Sequence, residues 1–393
     1  MNIIYLEGKE ELLVYVKPLW ENTRDYHSRI STYFSSKFSS QSSESRKRLW
    51  KLMKAEFKPN YDTNRKKLAD IIPLAAPFTV YIEQTRYCNF KCFYCIHATR
   101  DKEDGEFRKL GFSVKHMDFE MYKTIVSQLK KFTEPIKRIV FSGLGEPLMN
   151  PRLPEMVKLA VEAKIADRVE IITNGLLLTP ETSRKLIDAG ITNINISVQG
   201  VSKERYKETC GVEIDFDEYV KNLSYLYSIK GNTQIYIKAI DATLKSKEEE
   251  EKFFNIFGNI CDKIYIEHLI VMRQQMGELK KIVDGTKNFY NEELDLNRKV
   301  CAQSFYFLQI GCDYDTFPCP VPGLPKSLSM GNIKDNTIKE IWNGEKRREH
   351  LRTMLTYQKD SIPECNNCTC FNAINNPLEN LDPDAPRLLK LFE

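Results

Sequence analysis

Eight consecutive residues, Cys88-Asn89-Phe90-Lys91-Cys92-Phe93-Tyr94-Cys95, place three cysteines at C-x3-C-x2-C spacing directly after the apolar run 79–82. Three thiolates on one short loop can hold three irons of a four-iron cubane, and with no fourth ligand in the loop one iron stays open to bind something else. The competing use of such a cluster is a zinc knuckle. Zinc asks for a fourth Cys or His at short range, and the local candidate is His97, two residues past Cys95 and awkwardly placed for a tetrahedral site. A second cysteine set lies far downstream: Cys301, Cys312, Cys319, and then Cys365-x2-Cys368-x-Cys370.

The rest of the chain must position these thiols. At 393 residues it exceeds one ordinary domain, and about 150 residues per domain suggests two or three. With 42% hydrophobic residues, 28% charged and a formal net charge of +4, the composition is that of a soluble globular protein, and nucleic acid is not an expected partner. The first ten residues carry charges, no cleavable apolar core follows, and no apolar run is long enough to cross a bilayer. The expectation is a cytoplasmic protein without a membrane partner. Its eleven cysteines are then expected to bind metal rather than to form disulfides.

Residues 1–75 read as an N-terminal helical extension. The stretch 12–34 has helical apolar spacing interrupted by Pro18, 39–45 is a Ser-rich break, and 46–67 is rich in Lys and Arg around Trp50, Leu52 and Met53. This last piece reads as a solvated helix, or alternatively as a contact surface for an acidic partner. From Pro77 short strands and amphipathic helices alternate. Strands are expected at 79–83, 138–142, 168–173, 193–198, 234–240 and 263–267, and helices at 118–131, 153–163, 180–189, 217–229 and 247–257. Six β–α units of this kind predict an α/β fold with a parallel sheet, as an incompletely closed (β/α)6 barrel. Chemistry in such barrels sits at the carboxyl ends of the strands, and the cysteine loop follows the first strand. Polar residues Lys238, Asp241, Glu267, His268 and Arg273 at later strand ends could line a substrate pocket.

The spacing of Cys88, Cys92 and Cys95, the aromatic Tyr94 before the last of them, and the preceding strand resemble the radical S-adenosylmethionine (SAM) superfamily. In that family the open iron chelates the amino and carboxylate groups of SAM, which one electron splits into methionine and a 5′-deoxyadenosyl radical. Three further strand ends fit. Ser142-Gly143-Leu144-Gly145-Glu146-Pro147 resembles the Gly-Gly-Glu-Pro motif that receives the SAM ammonium, with Leu144 interposed. Thr173-Asn174-Gly175 is similar to the family's Thr-Asn-Gly turn, and Ser197 stands where a serine contacts SAM in sulfatase-maturing relatives. The resemblance thus implies Tyr94, Gly143, Gly145, Glu146, Ser197, Lys238 and Leu269 as SAM-binding residues. One departure stands out: Thr209-Cys210-Gly211 replaces an Arg that meets the SAM carboxylate in relatives, so that Arg205 or Lys238 must supply that charge, or Cys210 has a role of its own.

The region 300–370 resembles the twitch module, a shortened SPASM extension of radical SAM enzymes, and looks like that of an aminocyclitol dehydrogenase of this class. The resemblance implies an auxiliary [4Fe-4S] cluster on Cys301, Cys319, Cys365 and Cys368, with Cys312 and Cys370 left over; the spacing alone also suits a zinc ribbon. The expected domains are therefore 1–75, a barrel at 76–280, a twitch/SPASM-like domain at 281–380, and a tail at 381–393. The implied activity is a radical SAM oxidoreductase using two [4Fe-4S] clusters and SAM. It would oxidise a small polyol, sugar or aminocyclitol, with flavodoxin or ferredoxin as electron donor. The alternative is a peptide substrate, epimerised or crosslinked, or a redox-neutral epimerase in which Cys210 or Cys312 returns the hydrogen.

Overall fold

The computed structural model describes residues 53–393 apart from 63, 272–282, 367 and 375; the helical reading of 12–34, the break at 39–45 and Arg273 lie outside the described residues. The described strands form one sheet: β1 (Glu56–Phe57), β2 (Thr79–Ile82), β3 (Ile136–Phe141), β4 (Ala166–Thr173), β5 (Asn193–Val198), β6 (Gln234–Ile240), β7 (Lys263–Glu267), β8 (Phe307–Ile310), β9 (Asp315–Phe317) and β10 (Gly331–Asn332). Their spatial order is β1-β7-β6-β5-β4-β3-β2-β8-β9-β10. Every pairing from β1 to β8 is parallel, and β8, β9 and β10 form an antiparallel meander. Strands β2 to β7 are the six of the expected partial barrel, which stays open because β7 pairs with β1 and β2 with β8.

The crossovers are α1 (Phe119–Leu129), α2 (Leu153–Glu162), α3 (Pro180–Asp188), α4 (Lys203–Cys210), α5 (Phe216–Ile229) and α6 (Lys247–Phe257). Short oxygen-bearing side chains start most of them: Asp118, Thr179, Ser202, Asp215 and Ser246 each accept a hydrogen bond from the backbone N–H three residues on. These caps satisfy donors that the first helical turn leaves free. Ile194, Ile196 and Val198 on β5 are buried against the helix layer, while Asn195 and Ser197 between them face a cavity inside the barrel. The two-residue period of a strand separates the two faces.

Several local expectations are corrected. Helix α4 was not anticipated, since its polar composition gives little apolar periodicity. The described part of 46–67 is extended rather than helical, because Pro59 and Asn60 oppose a helix and β1 gains backbone partners beside β7. There Phe57 stands 5.5 Å from the Phe254 ring and 5.1 Å from that of Tyr265. Past the meander, Asn343-Gly344 separates two helices, α7 (Ile338–Trp342) and α8 (Glu345–Leu355). The tail docks: α9 (Ala385–Leu389) and Phe392 share a core with Leu68, Phe305 and Leu351.

A buried ion pair ties the barrel to the meander. Arg86, just past β2, donates from Nε to Glu83 at 2.7 Å and from Nη1 to Asp313 of the β8–β9 turn at 2.5 Å. Arg86 and Glu83 are 5% and 3% exposed, so removing the cation leaves an uncompensated buried carboxylate. Arg86→Ala is expected to destabilise the fold by about 3–5 kcal/mol, read as a lower denaturation midpoint under anaerobic conditions; an unchanged midpoint would show that the pair adds no net stability.

Candidate active site

The cysteine loop is carried on the end of α4: Lys91 N–H donates to Cys210 O at 2.9 Å and Phe93 N–H to Thr209 O at 3.0 Å. Cys95 N–H closes a turn onto Cys92 O at 2.8 Å, and Arg100 donates to the carbonyls of Cys88 and Phe90. Burial pushes the Cys88 thiol up to about 12 and Cys95 up to about 11, with the neighbouring thiols adding to the effect. Deprotonating three such thiols side by side is costly unless a cation is bound among them, which makes the donor set suitable for iron.

His97 does not complete a zinc site. Its Nε2 is 2.8 Å from Leu144 O, its ring packs 4.8 Å from Phe107, and burial lowers its pKa to about 4. Among the described residues no three His, Cys, Asp or Glu side chains converge closely enough to hold a single metal ion. One zinc needs thiolates roughly 4 Å apart, given bonds of about 2.3 Å, whereas a cubane holds them wider.

The barrel interior holds a cavity of about 520 Å³. At the carboxyl ends of the strands it is lined by Tyr94, Cys95, Gly143, Ser197, Lys238 and Leu269, which brings together five of the seven residues implied for SAM. Tyr94 donates from its hydroxyl to Gln199, Lys238 pairs with Glu267 at 2.6 Å, and Leu269 N–H donates to Asp241 at 3.1 Å. Beside them His268 shares a 2.6 Å contact with Asp241; burial works against its charge, but the carboxylate outweighs this and raises its pKa.

Gly145 and Glu146 are not among the cavity-lining residues. Glu146 is 4% exposed and turned toward the end of β4, where it accepts from Asn174 N–H at 2.7 Å, from Leu148 N–H at 3.0 Å and from the Thr173 hydroxyl. It braces the turn rather than offering a free carboxylate to an ammonium. Gly145 is needed by packing, since a Cβ there would lie 2.5 Å from Thr85 O, and a Cβ on Gly143 would lie 2.8 Å from the Glu83 side chain. Glu83, which the sequence did not single out, accepts from Leu144 N–H at 3.1 Å and so holds this turn to β2.

Cys210 and Cys312, the hydrogen donors of the alternative epimerase reading, also miss the cavity. Cys210 is fully buried against Cys92 behind the loop, and Cys312 is fully buried with its thiol donating to Glu83 O at 2.9 Å. Arg205 is unavailable as well, because Glu249 holds it at 2.8 and 2.7 Å. Lys238 is thus the cavity-lining member of the two cations considered for the SAM carboxylate.

A second cavity of about 260 Å³ gathers Cys301, Cys319, Cys365, Cys368 and Cys370. Burial raises Cys301 to about 11 and Cys365 to about 12, again with contributions from neighbouring thiols. Gln303 and Cys370 line both cavities, and Gln303 Nε2 donates to Cys370 O at 2.7 Å. The alternation of polar residues along the strands was the available signal for other cavity residues: Arg138, Glu170, Asn195 and Tyr236 all fall on its inward face.

The family model of the radical SAM superfamily matches residues 82–241, and that of the SPASM iron–sulfur cluster-binding domain matches 301–369. A tungsten-containing aldehyde ferredoxin oxidoreductase cofactor-modifying protein of Pyrococcus furiosus is 32% identical over 332 residues, covering 75% of this chain and 88% of that protein. Among solved structures, anSMEcpe with bound SAM superposes with a TM-score of 0.51 at 16% identity, over 80% of this chain and 96% of that one. SAM-bound SuiB of Streptococcus suis gives 0.50 at 18% identity, over 70% and 68%. At these identities the two structures speak to the fold alone.

Two outcomes follow from this geometry. After anaerobic reconstitution, changing Cys88, Cys92 and Cys95 together to Ala is expected to lower iron from about eight per chain to about four and to abolish SAM cleavage; one zinc and no iron in that variant would make the second cavity a structural zinc site. Burial pushes Glu146 up to about 7, above its ordinary carboxylate value, even though its three donors favour the charged form. The folded chain therefore binds this proton more tightly than the unfolded chain, and the contribution is lost as pH rises from about 4.5 through about 7. Thermal midpoints should fall between pH 6 and 8 by more in the native chain than in Glu146→Gln, and equal falls would show that another group titrates.

Proposed function

Because this chain belongs to the radical SAM superfamily and carries a SPASM domain, and so binds SAM, a [4Fe-4S] cluster and auxiliary iron–sulfur, we propose that it oxidises a small polar molecule held inside the barrel. The observation that carries this reading is the shared wall: Gln303 and Cys370 line both the barrel cavity and the five-cysteine cavity. Bound SAM would supply a 5′-deoxyadenosyl radical for hydrogen abstraction from a carbinol carbon, and a cluster held by Cys301, Cys319, Cys365 and Cys368 would offer a one-electron acceptor beside that cavity.

The chain's own residues do the rest. Cys88, Cys92 and Cys95 hold the SAM-binding cluster, and Cys301, Cys319, Cys365 and Cys368 the auxiliary one. Tyr94, Gly143, Ser197, Lys238 and Leu269 surround SAM. Glu267, which ends β7 and is bridged to Lys238 and to Tyr236 at 2.9 Å, takes the hydroxyl proton, and the enclosing walls keep water from the radical. A flavodoxin or ferredoxin is the fitting electron donor, and the cytoplasm the fitting compartment for eleven free cysteines; among the described residues no helix is long and apolar enough to cross a membrane.

The Pyrococcus relative is described as modifying a cofactor, which favours a small molecule over a peptide. Fully deuterated cell extract, separated into small-molecule and peptide fractions, tests this with SAM, reductant and the reconstituted enzyme. Deuterium is expected in 5′-deoxyadenosine from the small-molecule fraction; label arriving from the peptide fraction alone would replace this reading with peptide modification.

A further inference from the structure

The proposed hydrogen abstraction does not call for the charge at the other end of the barrel cavity. There, near the amino-terminal ends of the strands, five cations line one space: Lys137 and Arg138 on β3, Arg168 on β4, and Arg65 and Lys66 on the segment before Leu68. Asp62, Glu170 and Glu379 are the carboxylates around them, two fewer than the cations. Arg65 is taken by Glu379. Arg168 lies 3.2 Å from Glu170 and 4.0 Å from Asp62. Arg138 donates from Nε to Thr79 Oγ1 at 3.0 Å, and among the described residues no carboxylate lies within ion-pair distance of its guanidinium. Lys137 sits 4.3 Å above the Phe78 ring, and Lys66 likewise has no carboxylate at ion-pair distance among the described residues.

Glu170 adds an independent sign of a missing partner. It is 2% exposed, Asn195 Nδ2 donates to its Oε2 at 3.3 Å, and its Oε1 accepts no hydrogen bond; the nearby Arg168 Nε is at ion-pair distance without hydrogen-bond alignment. A half-buried guanidinium that Glu170 favours only through space, with no carboxylate at ion-pair distance, and a buried carboxylate oxygen without an aligned donor are each costly. A phosphate ester carrying a neighbouring hydroxyl satisfies both, since guanidinium groups bind phosphate through paired N–H donors and the hydroxyl donates to Glu170.

We propose that the base of the barrel cavity binds the phosphate group of the substrate through Arg138, Arg168 and Lys66, with Glu170 accepting from an adjacent hydroxyl. The substrate is thus a phosphorylated small molecule, entering with its anion at the strand starts and its reacting carbon toward the SAM end. The inference rests on the small-molecule reading above and narrows it.

Two measurements decide it. Calorimetric titration of the reconstituted holoenzyme with inorganic pyrophosphate is expected to show binding that weakens about tenfold or more in Arg138→Gln and in Arg168→Gln, with iron content retained, and that is unchanged in the surface control Lys123→Gln. Should Arg138→Gln lose its clusters, Arg168→Gln and Lys66→Ala carry the comparison, because Lys66 is exposed. In the second measurement, alkaline phosphatase treatment of the deuterated small-molecule fraction is expected to abolish label transfer to 5′-deoxyadenosine. Pyrophosphate binding that no variant weakens, or label transfer that survives the phosphatase, overturns the phosphate site while leaving a small-molecule oxidase in place. If no small-molecule fraction transfers label, the functional reading fails, and the titration alone still decides the site.

Discussion

The strands of this barrel keep most of their apolar side chains on one face, Ile172 and Ile240 near the strand ends excepted, and the rest of the molecule depends on that separation. Parallel strands covered on both sides usually read as continuous apolar runs. Here Ile194, Ile196 and Val198 pack outward while Asn195 and Ser197 point inward, and β6 repeats the arrangement with Ile235, Ile237 and Ala239 outward and Tyr236 and Lys238 inward. The outer layer therefore supplies the apolar burial, and the open edge keeps the inner side chains from meeting across a closed core. Buried polar groups are tolerable only where they find partners. The Lys238–Glu267–Tyr236 chain and the contact between Asn60 and Asn195 supply them over much of the wall.

Glu83 is the point at which three parts of the active site are tied together. Its carboxylate accepts from Arg86, from Leu144 N–H in the glycine turn and from Cys312 N–H at 3.3 Å in the meander, while the cysteine loop begins two residues past Arg86. One buried charge thus holds the turn after β3, the loop after β2 and the β8–β9 hairpin in a common frame. Because Arg86 compensates it at 2.7 Å, the carboxylate can accept all three bonds without remaining an isolated charge.

Much of the fold was legible because the chemistry that sets it is local. Strands β5, β6 and β7 and helix α6 begin and end where residue pattern and caps place them, since β-branched runs, Ser/Thr/Asp caps and terminal glycines act within a few residues. The departures come from contacts distant in sequence. The segment at 56–57 is a strand because the open barrel edge at β7 offers it hydrogen-bond partners two hundred residues away in the chain. Leu381 and Phe392 form part of the core because Leu68 and Phe305 leave an apolar surface for them. Neither effect leaves a mark on the segment's own sequence.

The candidate site was legible as a set of residue types but not as a set of directions. Glu146 occupies the motif position expected of an ammonium partner, yet the backbone N–H groups of Asn174 and Leu148 compete for the same carboxylate and turn it away from the cavity. Cysteines make the same point more sharply, because one letter covers several chemical situations. Cys210 closes α4 and Cys312 follows β8, either of which the epimerase alternative would use as hydrogen donor, but packing behind the first cysteine loop and a bond to Glu83 O bury them completely. Cys370, which spacing left without a role, lies in the wall between the two cavities with its carbonyl fixed by Gln303. Spacing along the chain can predict which thiols share a loop. Which of them faces a substrate depends on the hydrogen bonds of the surrounding backbone, and those form only once the sheet has brought β2, β3 and β8 side by side.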